Sequence, residues 1–350
     1  MPITAAQLAA GANYQLQAYA ANDPIDQYNP LRPTFSWLLK NMEQTVGGNT
    51  YLNEKVRIQN DSNYQNYYGD DQVSYNRRDV IRLAQYPWYD FHDGFGLNED
   101  ELAANGITMT DDTNNVVTGA EKVQIVNLLK TDYNALKIGA QENFDLEMHR
   151  DGTQSSKACP GLDLLCSTTP LVGVVGGIDA AVSTYWRNNA SMAVNTATAG
   201  TLTQQMELQW RACMTYGQIA PTYMPCGSAF LDAYRKEAQA TIIRQAQTTG
   251  KAIAQLDVGT TDLYFHGVQL TWDPTFDRLD VLLGAITFPW AKRLYMLSEQ
   301  AIKLKPITGR WMINRTPPRM YDRYVHYFGL TSSYRLTARQ RNAMAVMSIA

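Results

Sequence analysis

The feature that most limits how this chain can fold is a proline-free run from Thr118 to Arg150. In it, Ile125, Leu129, Tyr133, Leu136, Ala140, Phe144 and Met148 recur at three- and four-residue steps. Only an α-helix gathers residues at that spacing onto one face. At ~1.5 Å per residue the helix is roughly 45 Å long, more than a small core can cover. Thr118 and Glu121 have the spacing of a capping box, and Asp151-Gly152-Thr153 supplies a stop. A chain of 350 residues built round such a helix is expected to have two lobes, or one domain with large excursions.

One excursion is legible ahead of the helix. Leu52, Glu54, Val56 and Ile58 alternate onto one face, and Val73, Tyr75, Arg77, Asp79, Ile81 and Leu83 do the same on the return. This predicts a long hairpin from Tyr51 to Leu83. Its tip, Asn60 to Asp71, is polar but carries Tyr64, Tyr67 and Tyr68. An isolated two-stranded hairpin is marginal in water, so it should lie on another surface, which a neighbouring subunit could supply.

Elsewhere the pattern is mixed. An uncharged Ala/Gln-rich helix is expected over Thr4 to Ala21, and a short helix carrying Phe35, Leu38, Leu39 and Met42 ends near Gly47-Gly48. A Gly-rich apolar stretch, Leu171 to Ile178, precedes an Ala/Thr/Asn linker from Ala190 to Gly200 and helices over Thr201 to Cys213 and Gly227 to Ala246. Strand-like runs follow at Leu263 to Trp272, Leu294 to Leu297, Tyr324 to Phe328 and Ala343 to Ile349. No internal repeat is present, and this order predicts an α+β fold with hairpin excursions.

Composition narrows the function. Charged residues make up only 18%, while Tyr numbers 21 and Trp 7, a mixture suited to protein contact surfaces. The net charge of -3 gives no global attraction to nucleic acid, and no Lys or Arg precedes Arg32. From Trp290 to Ala350, however, eleven Lys plus Arg face only Glu299 and Asp322. That run reads either as a solvated or interface-paired face, or as one facing packaged nucleic acid. Four cysteines, at 159, 166, 213 and 226, form no Cys-x-x-Cys pair and are expected as buried free thiols. With no signal-peptide pattern and no long apolar run, a reducing cytoplasm and no membrane insertion are expected.

Motifs with chemical meaning fail on spacing. Gly173, Gly176 and Gly177 lack the first Gly-x-Gly of a dinucleotide site, so a strand entering a tight turn is the better reading. Cys226-Gly227-Ser228-Ala229 has no second Cys, and no Gly-x-Ser-x-Gly elbow exists. Asp90 to Glu101 has the acidity of a calcium loop, but its glycine falls fifth and His92 takes a ligand position. A surface turn leading to a helix near Asn98 is expected there. His149, His266 and His326 have no second His at helical spacing and read as packing or exposed residues. No catalytic, cofactor or metal residue is assigned.

Several short words in one order carry a resemblance. Asp151-Gly152-Thr153 and Gly161-Leu162-Asp163 follow the long helix. Next come Gly176-Gly177-Ile178-Asp179 with Tyr185-Trp186-Arg187-Asn188, and Thr201-Leu202-Thr203. Phe265-His266-Gly267-Val268 with Trp272-Asp273-Pro274, then Leu294-Tyr295-Met296-Leu297 and Ile302-Lys303-Leu304, complete the set. In this order, after a hairpin and a spine helix, they resemble tailed-phage major capsid proteins with the Hong Kong 97 capsid fold. The chain departs from that pattern at Ala180, where the family has a basic residue, and at Tyr185, where it has Trp.

The resemblance implies an N-terminal arm and short helix (1–46), an extended hairpin loop (47–86) and a peripheral domain with the spine helix (87–152). An axial domain (153–298), a returning peripheral segment (299–330) and a C-terminal segment (331–350) complete the division. It implies a shell subunit, not an enzyme, forming pentamers and hexamers that tile an icosahedron around double-stranded DNA contacted non-specifically. Its location is the virion capsid, with assembly in the host cytoplasm and scaffolding, portal and decoration proteins as partners. Subunit contacts are expected from Arg57, Tyr64, Tyr67, Tyr68, Arg77, Arg78 and Arg82, and structural roles in the axial domain from Gly176, Gly177, Asp179, Trp186 and Arg187. Lys55, the hairpin's lone lysine, lies near its base, so no crosslink at the tip is expected. An encapsulin-type compartment with protein cargo, and a monomeric enzyme or carbohydrate-binding protein, are the competing readings.

Overall fold

The computed structural model describes residues 29–98, 100, 119–198, 200–216, 219–249, 263–284, 286–317 and 325–350. The helix expected over Thr4 to Ala21 and the capping box at Thr118 lie outside them. Contacts divide the chain into two units, one of residues 1–30, 90–144 and 308–333, the other of 31–89, 145–307 and 334–350.

The long helix is present as Gly119–His149. Leu136, Ala140, Phe144 and Met148 are all buried, as the four-residue step requires. In the first unit Leu136 and Ala140 pack with Leu330, Phe91, Phe95 and Tyr133. Phe144 meets the rings of Phe91 and Trp311, at 5.8 and 5.5 Å between centroids. The wall opposite the helix is a sheet in which Tyr89–Asn98 and Ile313–Arg315 flank Val325–Ala338. The turn expected within Asp90 to Glu101 is therefore a strand. Its odd positions Phe91, Asp93, Phe95 and Leu97 are the more buried ones and its even positions are exposed, an alternation that the acidic composition masked.

The second unit is built on a six-stranded sheet. Its order is Asn189–Val194, Ala345–Ile349, Arg293–Met296, Met224–Cys226, Val268–Trp272 and Tyr264–Phe265. The first half of the linker expected over Ala190 to Gly200 is thus an edge strand, paired in parallel with Ala345, Val346 and Met347. Backbone pairing outweighs the low intrinsic strand preference of its Ala and Asn residues. Helix Thr201–Met214 lays Leu202, Met206, Trp210 and Cys213 into this core, and Ser228–Thr249 adds Phe230 and Tyr234. No side chain caps the first helix locally. Instead the Glu237 carboxylate, from the second helix, accepts from Leu202 N at 3.3 Å and Thr203 N at 2.9 Å, placing a negative charge at the helix's positive end.

The stop after the long helix is built on close approach. Gly152 sits at φ +92°, and Gly161 N donates to Arg150 O at 2.8 Å. A Cβ on Gly161 would lie 2.0 Å from Met148 O, where no atom fits. Gly161→Ala is therefore expected to cost about 3 kcal/mol or more in urea unfolding; unchanged stability would show that this segment can shift.

Candidate functional site

The hairpin ladder pairs Tyr51–Arg57 with Ile81–Pro87 in antiparallel register, Leu52 opposite Tyr86 and Glu54 opposite Ala84. The outgoing strand buries Leu52, Glu54 and Val56 as expected. The return strand does not follow expectation. It begins at Ile81, not Val73, and buries Ala84 and Tyr86 while Ile81 and Leu83 point outward. Register explains this, because residues opposite one another share a face, and the face was set by Leu52, Glu54 and Val56.

Between the strands, 58–80 form a loop braced by its own side chains. Ile58 N donates to Val80 O at 2.9 Å, Asp79 N to Asp61 Oδ2 at 3.0 Å, and Tyr68 N to Asp71 Oδ2 at 2.9 Å. Asn63 Nδ2 donates to Ser74 O at 2.5 Å. With the polar groups turned inward on one another, the rings are left outside: Tyr64 is 85% exposed, Tyr67 70%, Tyr68 90% and Tyr75 91%. Tyr75 was not among the expected contacts because its alternation read as part of a strand. Arg57, Arg77, Arg78 and Arg82 are all exposed, and Arg82, at the start of the return strand, pairs with Asp79 at 2.8 Å. An exposed pair of that kind contributes about 0–1 kcal/mol.

The base of the hairpin meets the Gly-Gly segment. Gln85 N donates to Gly176 O at 2.8 Å, and Tyr86 OH, its phenol pushed up to about 12 by burial, donates to Ala338 O at 2.9 Å. Val174–Val175 and Ile178–Asp179 form a two-residue hairpin with Gly176 and Gly177 at φ +60° and +75°. Positive φ at both central positions is the type I′ turn that glycine suits. A Cβ on Gly176 would also come within 3.0 Å of Ala84 Cβ. Trp186, 1% exposed, donates from Nε1 to Val175 O at 2.9 Å. Arg187 donates to the carbonyls of Ala180 and Ala181 at 2.7 and 2.9 Å, and Asp179 Oδ1 accepts from Ala181 N at 2.8 Å.

One residue of this cluster was not singled out from sequence. Arg341, 1% exposed, donates to Leu165 O at 2.8 Å, Trp186 O at 2.9 Å and Asn188 Oδ1 at 3.1 Å. Burial lowers the pKa of its guanidinium. Four of the eleven cations after Trp290 are buried, Arg293, Lys305, Arg335 and Arg341, and Arg339 pairs with Glu43 and Glu54. Arg319 and Arg323 lie outside the described residues. Those five are engaged within the subunit, while Lys292, Lys303, Arg310 and Arg315 are not buried.

His149 was also missed as a partner of acids. It is fully buried at the end of the long helix, donating from Nδ1 to Asp145 O at 2.7 Å, with Nε2 3.5 Å from Asp273 Oδ2. Thr275 Oγ1 donates to Asp145 Oδ2 at 2.6 Å and Thr34 Oγ1 to Asp273 Oδ2 at 2.5 Å. Burial by itself would lower the imidazole, but Asp145 and Asp273 raise it to about 9. Burial opposes ionisation of Asp273 as well, and the neighbouring His149 imidazole overrides this, holding it at about 2. Asp145 is raised, burial being the main cause. Among the described residues no cluster of three or more His, Cys, Asp or Glu could hold a metal ion, and no helix is long and apolar enough to cross a membrane. All four cysteines are buried free thiols.

No family model and no curated protein matches the sequence. Solved structures do match along nearly the whole chain. The capsid asymmetric unit of cyanophage A-1(L) aligns over 94% of this chain and 96% of its own, at TM-score 0.57 and 12% identity. The capsid of Myoviridae phage XM1 covers the same shares at TM-score 0.54 and 12% identity. The capsid structure of cyanophage P-SCSP1u covers 94% and 91% at TM-score 0.52 and 9% identity. The chain has the α+β fold of these phage capsid proteins, as the order of its sequence words led us to expect.

Two outcomes test this geometry. Trp186→Ala should cost roughly 3–5 kcal/mol in denaturant unfolding, and an unchanged midpoint would show the ring to be dispensable. The raised imidazole of His149 stabilises the fold fully below about pH 6.5, and that contribution is lost as pH rises through about 9. The melting temperature should therefore fall between those limits, and His149→Gln should remove that slope while lowering stability at pH 6. Parallel pH profiles for the two proteins would refute the assignment.

Proposed function

We propose that this chain is the major capsid protein of a tailed phage, self-assembling into pentamers and hexamers that close an icosahedral shell around double-stranded DNA. The observation that carries this reading is the pairing of a phage-capsid fold along 94% of the chain with a braced loop whose four tyrosines stand exposed. Large, rigid, amphipathic rings outside a preorganised loop suit a protein partner, since little entropy is lost when they dock. In a shell that partner is the next copy.

On this reading Arg57, Tyr64, Tyr67, Tyr68, Arg77 and Arg78 reach an adjacent subunit, joined by Tyr75. Arg82, exposed beside them and paired with Asp79, belongs to the same contact surface. Residues 153–298 act as the axial domain, in which Gly176, Gly177, Asp179, Trp186 and Arg187 fix the turn that meets the hairpin base. The peripheral roles fall to 87–152 and 299–330. The function is geometric and not catalytic. Each contact is weak, and closure of many copies supplies the strength that single pairs lack. DNA is held non-specifically, and scaffolding, portal and decoration proteins join the same particle in the host cytoplasm and virion.

Electron microscopy of the purified protein tests the reading: closed polyhedral particles are expected, and a uniform monomer under all assembly conditions would overturn it. Particles filled with protein cargo would indicate a compartment of the encapsulin type. Deleting Asn60 to Asp71, which leaves the ladder intact, should give a folded subunit that forms few closed shells; normal shells would dismiss the loop as a contact.

A further inference from the structure

The segment leading into the hairpin and the base of the hairpin share their counter-ions. Glu43 N donates to Leu304 O at 2.9 Å and Thr45 N to Pro306 O at 3.0 Å, so residues 43–45 run along the strand Ile302–Pro306 as a short strap. Glu54, on the buried face of the hairpin, contacts Lys305 through Oε1 and accepts from Arg339 Nε through Oε2 at 3.2 Å. Arg339 Nη2 in turn reaches Glu43 Oε2 at 2.9 Å and Oε1 at 3.3 Å, while Lys305 Nζ lies 3.9 Å from Glu43 Oε2. Charges alternate in sign along Lys305, Glu54, Arg339 and Glu43. The first two are buried, at 5% and 7% exposed, and the last two border solvent.

The chemistry of arginine makes this more than four adjacent ions. Its planar fork holds Nε and Nη2 in fixed relation, so a guanidinium fixed on Glu54 through Nε already aims Nη2 at Glu43. Most of the side-chain entropy has then been lost before the second contact forms. Glu43 and Glu54 carry like charge and would repel without the cation between them.

We infer that the strap and the hairpin are thermodynamically coupled through Arg339, each stabilising the docking of the other. Displacing the hairpin frees the arginine, and the strap loses its firmest side-chain partner. A rearrangement of the segment before residue 43 reaches the hairpin by the same route. The use of this coupling in assembly rests on the shell reading above, whereas the coupling itself belongs to the single subunit.

Hydrogen–deuterium exchange on the unassembled full-length subunit at low salt tests it. Glu54→Gln should speed exchange in a peptide covering 42–46 by about five- to tenfold, within the usual range of site-to-site coupling. Because linkage is reciprocal, Glu43→Gln should speed exchange over 51–57 by a similar factor. Peptides from 293–296 and 345–349 serve as folding controls and should not change. In an Arg339→Lys background, which keeps the charge but loses the fork, Glu54→Gln should leave the strap unaffected further. Unchanged or slower strap exchange in Glu54→Gln, or an effect in one direction only, overturns the proposal. Should Glu54→Gln lose core protection, Glu43→Gln decides alone, since its site is half-exposed. Shell formation is not read in this experiment, so its failure would leave the assembly reading standing.

Discussion

A single buried imidazole ties together three stretches of chain that lie far apart in sequence. His149 ends the long helix between Asp145 and Asp273, and those two carboxylates are hydrogen-bonded by Thr275 and by Thr34, from sites 130 and 239 residues away respectively. A buried charge left without a partner is heavily penalised, so these groups must meet. Their meeting fixes where the helix stops, where Pro274–Leu283 starts and where Pro33–Lys40 is laid down. Around the imidazole stand the rings of Phe276 and Trp290, which exclude water and keep the pairing tight.

The hairpin follows a different rule. Its base is fixed by buried groups, Tyr86 and Glu54 among them, while its far end satisfies its backbone and amides locally and leaves four tyrosines to solvent. Burial is thereby placed at the root and exposed aromatic surface at the tip. Such a loop contributes little to the stability of its own subunit. The exposed rings and the buried root belong together as one device.

Helix positions were easier to read than faces of strands. The burial of Leu136, Ala140, Phe144 and Met148 follows directly from their spacing, and the helix expected over Thr201 to Cys213 is present as Thr201–Met214. Strand assignments failed where alternation was ambiguous. Val73, Tyr75, Arg77 and Asp79 alternate as a strand would, yet they lie in a loop held by side-chain hydrogen bonds that no pattern announces. Asn189–Val194 looked like a linker because it is rich in Ala and Asn; a parallel partner some 150 residues later makes it a strand. Among site residues, the turn at Gly176 and Gly177 and the anchoring by Trp186 were legible, since glycine pairs and buried indoles have few structural uses. Arg341 was not, because a cation bonded only to carbonyls and an amide oxygen leaves no acidic partner to spot.

The sequence by itself determined the periodic and local features: the long helix, the existence of a hairpin, the stop at Gly152 and the order of words that pointed to a capsid fold. Those depend on spacing and on the conformational freedom of particular residues, which travel with the chain. Tertiary structure alone decided which face of the return strand is buried, which basic residues are spent inside the subunit, and that Glu43 and Glu54 answer to one arginine. These are choices between groups hundreds of residues apart, and they are settled by desolvation and pairing once the chain has closed on itself.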